Sequence, residues 1–156
     1  MEIPPPVLAG QYVVAFAHVD ASVAFEQRHT LNVGGEWLGR VPYLAVCQEF
    51  ETAEFTVQHC GQGWEPLGIA AGYRTADEAK RAVERSYQGL ADKWVSSTVA
   101  WEDARAIHEG ELKEESCSFC GRTPLEVTSM VGEEVRICKH CVDSFHRLLH
   151  RDDDET

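Results

Sequence analysis

The sequence predicts an α+β domain, in which a helix packs on a small antiparallel sheet, followed by a C-terminal module built on four cysteines. Three observations carry this prediction. Short β-favouring segments separated by glycine-containing turns fill residues 11–73, an amphipathic helical pattern follows Thr75, and two Cys-x-x-Cys pairs lie after residue 116. We therefore divide the chain into an acidic first domain, residues 1–110, and a C-terminal module, residues 111–156.

Five segments of the first domain have the composition of strands. They are residues 11–19, 23–33, 41–50, 54–60 and 64–73, with Gly34-Gly35 and Gly61-Gln62-Gly63 as breaks between them. The last three segments follow one another through short turns. Because such turns join neighbouring antiparallel strands, these three segments predict a meander.

A helix is predicted to begin at Thr75, where Thr-Ala-Asp-Glu forms a capping box. The Thr75 hydroxyl accepts from the amide of Glu78, and the Glu78 side chain reaches back. The stripe that would face the sheet is Ala79, Ala82, Val83, Ser86, Tyr87 and Leu90, with Gly89 weakening the last turn. Trp94 then closes the edge of the core, residues 95–101 are extended, and residues 101–115 form a charged helix that leads into the module.

The four cysteines of the module have the spacing of a metal site. Cys117 and Cys120 form one pair, Cys138 and Cys141 the other, and seventeen residues separate the inner two. Four thiolates in a tetrahedron suit zinc and leave no position for water or substrate. We therefore predict one structural zinc ion per chain.

The residues around the cysteines predict a treble-clef arrangement. Each Cys-x-x-Cys pair forms a tight turn, or knuckle. Gly121 follows the first one, where a glycine can adopt a positive φ without backbone strain. Residues 125–128 and 134–137 have the composition of a hairpin with Gly132 near its turn, and the apolar residues after Cys141 recur at helical spacing.

Disulfide bonds and a redox dithiol are two other possible roles of these cysteines, and both explain less of the sequence than a zinc site does. Disulfides belong to secreted proteins, and the N-terminus, Met-Glu-Ile-Pro-Pro-Pro, has no secretory signal. A redox dithiol needs one Cys-x-x-Cys pair and leaves the second unexplained. His140, inside the second pair, is expected to be an exposed knuckle residue, since four cysteines already fill the site.

Residues 117–149 resemble the C4-type zinc-binding domain of ClpX, the unfoldase of a bacterial protease. The shared residues are Cys-Ser-Phe-Cys-Gly at 117–121, Glu-Val at 126–127, Val-x-Ile-Cys at 135–138 and Cys-Val-Asp at 141–143. The resemblance implies a treble clef that dimerises and recognises adaptors and unfolded or tagged substrates, with Cys117, Cys120, Cys138 and Cys141 as zinc ligands. The nucleotide-binding loop of ClpX is missing, so neither nucleotide binding nor ATP-driven unfolding is expected.

The module has more apolar residues than about forty residues can enclose. They are Phe119, Leu125, Val127, Met130, Val131, Val135, Ile137, Val142, Phe145, Leu148 and Leu149. Some of them must form an exposed patch. Self-association, docking on residues 1–110 and capture of an unfolded segment are its three candidate uses, and we favour self-association.

The charge of the chain excludes one large class of partners. The net charge is −12: residues 1–110 carry 8 basic and 15 acidic side chains, and residues 111–156 carry 6 and 11. Nucleic-acid binding depends on clustered Lys and Arg, and no such cluster occurs. The acidic surface instead favours basic protein partners. No apolar run is long enough to cross a membrane, and the two remaining cysteines are expected to be free thiols in a reducing cytoplasm.

The first domain offers few candidates for catalysis. His59 and Cys60 are neighbours on a strand and therefore point to opposite faces. Cys47 would have to meet His59 across the sheet. In the C-terminal module, His146 and His150 lie four residues apart on the last helix and could together hold a surface metal, but they more simply form a solvated face. We expect no enzymatic activity.

The sequence thus favours a non-enzymatic zinc protein whose finger mediates dimerisation and protein binding. The alternative is an acidic immunity or inhibitor protein that covers the basic cleft of a toxin or nuclease, which the net charge favours. A third interpretation, an enzyme that uses Cys47 or His59, would require loss of activity on Cys47→Ala with the fold intact.

Overall fold

The computed structural model describes residues 1–132 and 135–150. Those residues form twelve strands, three α-helices and two short 3-10 helices. The strands are β1 (Val7–Leu8), β2 (Gln11–His18), β3 (Ala24–Phe25), β4 (Asn32–Val33), β5 (Glu36–Trp37), β6 (Tyr43–Gln48), β7 (Phe55–Cys60), β8 (Pro66–Tyr73), β9 (Tyr87–Gln88), β10 (Val95–Ser96), β11 (Ser129–Val131) and β12 (Arg136–Cys138). The helices are α1 (Ala76–Glu84), α2 (Trp101–Glu114) and α3 (Lys139–Leu149), and the 3-10 helices are Gln62–Trp64 and Ala91–Lys93.

The chain divides into two compact units, residues 1–105 and residues 106 onward. We call them the first and the second unit. The sequence placed the division after residue 110, a few residues further along α2.

The first unit is built on a six-stranded antiparallel sheet with the order β1-β2-β6-β7-β8. The short strand β10 pairs with β2, where Val95 lies opposite Phe16. Strands β6, β7 and β8 follow one another in both sequence and space, so the predicted meander is present. The α+β fold class is confirmed.

Alternating side chains give the sheet two buried faces. On β6, Leu44 and Val46 join the cluster that α1 covers through Ala79 and Val83. Ala45 and Cys47 join a second cluster on the opposite face, which includes Phe16 and Trp64. The period of two along a strand produces this division.

Helix α1 begins as predicted and ends earlier than predicted. The Thr75 hydroxyl accepts a hydrogen bond from the Glu78 amide (3.1 Å), and the Glu78 carboxylate accepts from the amide of Arg74 (2.8 Å). The helix ends at Glu84, although the apolar stripe continues to Leu90. Tyr87 and Gln88 instead form β9 and pair with β3, so strand pairing overrides the helical period.

The long strand predicted for residues 23–33 is wrong. Only β3 and β4 occur there, and the segment between them is irregular. The Gln27 side chain accepts from the His29 amide (3.0 Å), and His29 has a φ of +53°. Such local bonds compete with a sheet ladder.

The second unit contains the predicted hairpin and helix, with one shift. Strands β11 and β12 pair antiparallel and α3 follows directly. The first strand lies at Ser129–Val131 and not at residues 125–128, because residues 123–126 form a turn in which Glu126 accepts from the Thr123 amide (2.8 Å). Glu134 of the predicted second strand and residues 151–156 of the predicted module lie outside the described residues.

None of the helices in the described ranges has the length and apolar character of a membrane-spanning segment.

Candidate metal centre

The structure brings the four predicted cysteines together. Cys117 and Cys120 lie in the loop after α2, Cys138 ends β12, and Cys141 lies in the first turn of α3. Their sulfur atoms all lie within 4.8 Å of one another. The Cys117 and Cys141 sulfurs are 3.9 Å apart, and those of Cys120 and Cys138 are 3.6 Å apart.

These separations fit a tetrahedral zinc site. A Zn–S bond of about 2.3 Å in a regular tetrahedron places neighbouring sulfurs about 3.8 Å apart. A disulfide would require about 2.0 Å, and all six cysteines of the chain are free. Four cysteines of the second unit are therefore positioned to bind one metal ion, and their soft sulfur donors suit zinc.

The first knuckle holds Cys117 through its backbone. The Cys117 amide donates to the Arg122 carbonyl (2.9 Å), and the Gly121 amide donates to the Cys117 carbonyl (2.9 Å). Gly121 has a φ of +71°, which glycine adopts without the strain of a side chain, as the sequence predicted. This loop turns amides towards the sulfurs.

The charge at the sulfurs also favours a cation. Burial would raise the pKa of Cys117, but the amides of Cys120, Cys138 and Phe119 lower it to about 6. The amide of Cys138 lies 3.3 Å from the Cys117 sulfur. The amide of Arg122 lowers the pKa of Cys120, whereas burial and the neighbouring thiols raise the pKa of Cys141 to about 12. The backbone amides thus favour the thiolate forms of Cys117 and Cys120, and the thiolate is the form that binds a metal.

Three of the four cysteine side chains are shielded from solvent. Cys117, Cys138 and Cys141 are buried, and Val127 and Ile137 pack against them. Four protein ligands leave no coordination position for water or substrate. Within the described residues the metal-binding cluster consists of these four cysteines, and His140 is exposed outside it.

The candidate catalytic residues of the first unit lie apart. Cys47 faces Thr56 across the sheet, and His59 faces Leu44. Cys47 and Cys60 belong to the cluster with Phe16, while His59 lies on the face that carries α1. Burial raises the pKa of Cys47 and raises that of Cys60 to about 12, so neither is an activated thiolate.

The second unit leaves most of its large apolar side chains in solvent. The exposed ones are Ile107, Phe119, Leu125, Met130, Val131, Val135, Phe145, Leu148 and Leu149, while Leu112, Val127, Ile137 and Val142 are half-buried. The rings of Phe119 and Phe145 are in edge-to-face contact with centroids 5.3 Å apart. We call Phe119, Phe145, Leu148 and Leu149 the apolar patch.

Residues 115–151 match the family model of the ClpX C4-type zinc finger. The match spans the four cysteines, the hairpin and α3, so the resemblance predicted for residues 117–149 is confirmed. No curated protein and no solved structure matches the chain.

Proposed function

We propose that this ClpX-type zinc finger makes the protein a dimer and that the protein acts by binding other proteins, without catalysis. The apolar patch is the observation that carries the proposal. Phe119 is 56% exposed, Leu148 59% and Leu149 79%. Soluble monomers rarely leave so many large apolar side chains together in water.

The geometry of the patch suits self-association. Phe145, Leu148 and Leu149 lie three and four residues apart on α3 and therefore share one side of the helix. Phe119 extends that side across to the first knuckle through its ring contact with Phe145. A single apolar helix face beside a rigid metal knuckle can pair with its own copy about a two-fold axis.

The absence of catalysis is part of the same proposal. The cysteine site has no open coordination position for a reacting ligand. In the first unit, the Cys47 thiol and the His59 imidazole lie on opposite faces of the sheet, so they cannot share a proton. We therefore assign to the four cysteines a structural role only.

Light scattering tests the dimer. The chain has a mass of 17.4 kDa, and we expect twice that mass at tens of micromolar. Phe145→Asp places a charge in the patch and should yield a monomer. His146→Asp places the same charge at the next exposed position of α3 and should remain dimeric. A wild-type protein that is monomeric at this concentration contradicts the proposal.

Zinc content must be measured for each variant, because loss of the metal would also remove the patch. A Phe145→Asp protein that keeps one zinc per chain and becomes monomeric supports the proposal. A Phe145→Asp protein that keeps its zinc and stays dimeric places the interface elsewhere.

We also propose that the finger contacts unfolded or tagged protein, as the resemblance to ClpX implies. Reduced, carboxymethylated α-lactalbumin is a suitable probe because it stays unfolded. Labelled probe should show increased anisotropy with the wild type, and the increase should be smaller with Leu149→Asp. Equal binding by both proteins would argue against the patch as the contact surface.

A further inference from the structure

A cavity of about 490 Å³ opens to solvent in the first unit, on the sheet face that carries α1. Val57, His59 and Ala70 of the sheet form its floor, the end of α1 forms one wall, and residues 25–39 form another. Cavities of roughly 300–1,000 Å³ are typical of small-molecule sites, and packing voids in a core are far smaller.

The floor of the cavity contains a polar side chain among apolar ones. His59 is only 9% exposed, and its Nδ1 atom has no hydrogen-bond partner among the described residues. Val57 and Ala70 beside it are apolar. An isolated polar group on an apolar floor is typical of a site that orients a ligand.

The charged residues that line the cavity are both arginines. Arg28 and Arg85 lie at its rim, and among the residues that the structure describes no Asp or Glu lines it, in a chain whose net charge is −12. Arg28 is held in place, since its Nε atom donates to the Arg85 carbonyl (2.8 Å) and its Nη2 atom lies 3.0 Å from a Glu26 oxygen. These bonds use two of the five N–H donors of the guanidinium.

The wall formed by residues 25–39 depends on a glycine of β8. A Cβ atom at Gly68 would lie 2.9 Å from Leu31 Cδ2 and 3.2 Å from Leu38 Cδ2. Both leucines line the cavity. The absence of a side chain at Gly68, directly across the sheet from His59, therefore lets this wall close onto β8.

We propose that the first unit binds a small organic acid in this cavity. The apolar body of the ligand would contact Phe25, Leu38 and Val57, and its acidic group would face Arg28 and Arg85. Arginine favours this role because its planar fork bonds two oxygens at once. The cavity rim is thus a place where two basic side chains border an apolar pocket in a chain that is acidic overall.

Two fluorescent probes of nearly equal shape test the proposal on the full-length, zinc-loaded chain. 1-Anilinonaphthalene-8-sulfonate carries a negative charge, whereas N-phenyl-1-naphthylamine has none. Arg85→Gln removes a lining charge just after the end of α1, and Arg81→Gln makes the same change within α1, away from the cavity. We expect Arg85→Gln to weaken binding of the sulfonate about fivefold to tenfold and Arg81→Gln less than about twofold. Binding of the uncharged probe should be equal in the two variants.

A further variant distinguishes the cavity from the apolar patch of the second unit, which also attracts such probes. Ala82 lines the cavity, and Ala82→Phe should fill it and abolish the charge-dependent binding, whereas Phe145→Asp should leave that binding unchanged. Equal sulfonate affinity in Arg85→Gln and Arg81→Gln would overturn the proposal, and so would charge-dependent binding that disappears only with Phe145→Asp. If Ala82→Phe does not fold, the two arginine variants still decide the question.

Discussion

The two units of the chain bury different chemical groups. The first unit encloses two apolar clusters, one on each face of its sheet, with Leu44 and Val57 fully buried. Among the described residues of the second unit, the buried side chains are those of Cys117, Cys138 and Cys141. One unit is therefore stabilised by removing hydrocarbon from water, whereas the other buries little hydrocarbon and brings together four cysteines that could bind a metal.

The stability of each unit can be measured separately, because each unit has its own spectroscopic signal. All four tryptophans and all four tyrosines lie between residues 12 and 101, in the first unit. Tryptophan fluorescence therefore reports only on that unit. A zinc indicator reports only on the second, so the two can be followed separately in one sample.

Metal removal should produce the largest effect. A chelator should release one zinc per chain and unfold residues 117–149, because a structural zinc contributes roughly 10–16 kcal/mol in zinc-finger peptides. Tryptophan fluorescence and its thermal transition should not change. Circular dichroism and a zinc indicator measure the outcome, and an unchanged helical signal after complete zinc release would contradict the prediction.

Cysteine substitutions also test whether zinc binding belongs to the second unit alone. Cys138→Ser should abolish zinc binding, while Cys47→Ala, in the core of the first unit, should leave one zinc bound. A zinc content reduced equally by both substitutions would mean that the two units are not independent.

Truncation of a core side chain in the first unit should destabilise that unit and leave zinc binding by the second unit unchanged. Leu44 is 0% exposed in the cluster under α1, so Leu44→Ala should lower the free energy of unfolding of the first unit by about 2–5 kcal/mol. Urea unfolding followed by tryptophan fluorescence gives this value. Leu67→Ala, on an exposed position of β8, is the matched control and should cost much less. Zinc content should be unchanged in both.

How much of each unit could be predicted depends on the range of the interactions that form it. The cysteine site follows from local spacing, and so do the strands at 43–48 and 55–60 and the Thr75 cap. Residues 23–33 and the end of α1 could not be predicted, because Phe25 pairs with Tyr87 over a long stretch of chain. The cavity could not be predicted from the sequence for the same reason. Its walls come together only when Phe25 pairs with Tyr87, and no local sequence pattern indicates it.

Acid should destabilise the first unit through His59. Burial lowers its pKa from 6.5 to about 4, so between these values the unfolded chain binds more protons than the folded one. The free energy of unfolding therefore falls as the pH drops from about 6.5 to about 4, by about 3 kcal/mol in total. Urea unfolding at several pH values should show this loss in the wild type and a smaller one in His59→Leu. Equal pH dependence in the two proteins would contradict it.

The smallest predicted effect concerns the N-cap residues of α1 in the first unit and α3 in the second. Helix α1 begins with the Thr75 hydroxyl, whereas the N-cap of α3 is Cys138, whose side chain makes no capping bond. Thr75→Ala should cost about 1 kcal/mol of stability in the first unit, and Thr75→Ser should cost less. A loss as large as that from Leu44→Ala would show that Thr75 does more than cap the helix.

The pairing of β10 with β2 has a consequence for synthesis on the ribosome. Ala15 and Phe16 of β2 bond on one side to β6 and on the other to Ser96 and Val95, which are made some eighty residues later. Until residue 96 has left the exit tunnel, that side of β2 offers unpaired amides and carbonyls to any neighbouring nascent chain. A fragment that stops before β10 should therefore tend to aggregate.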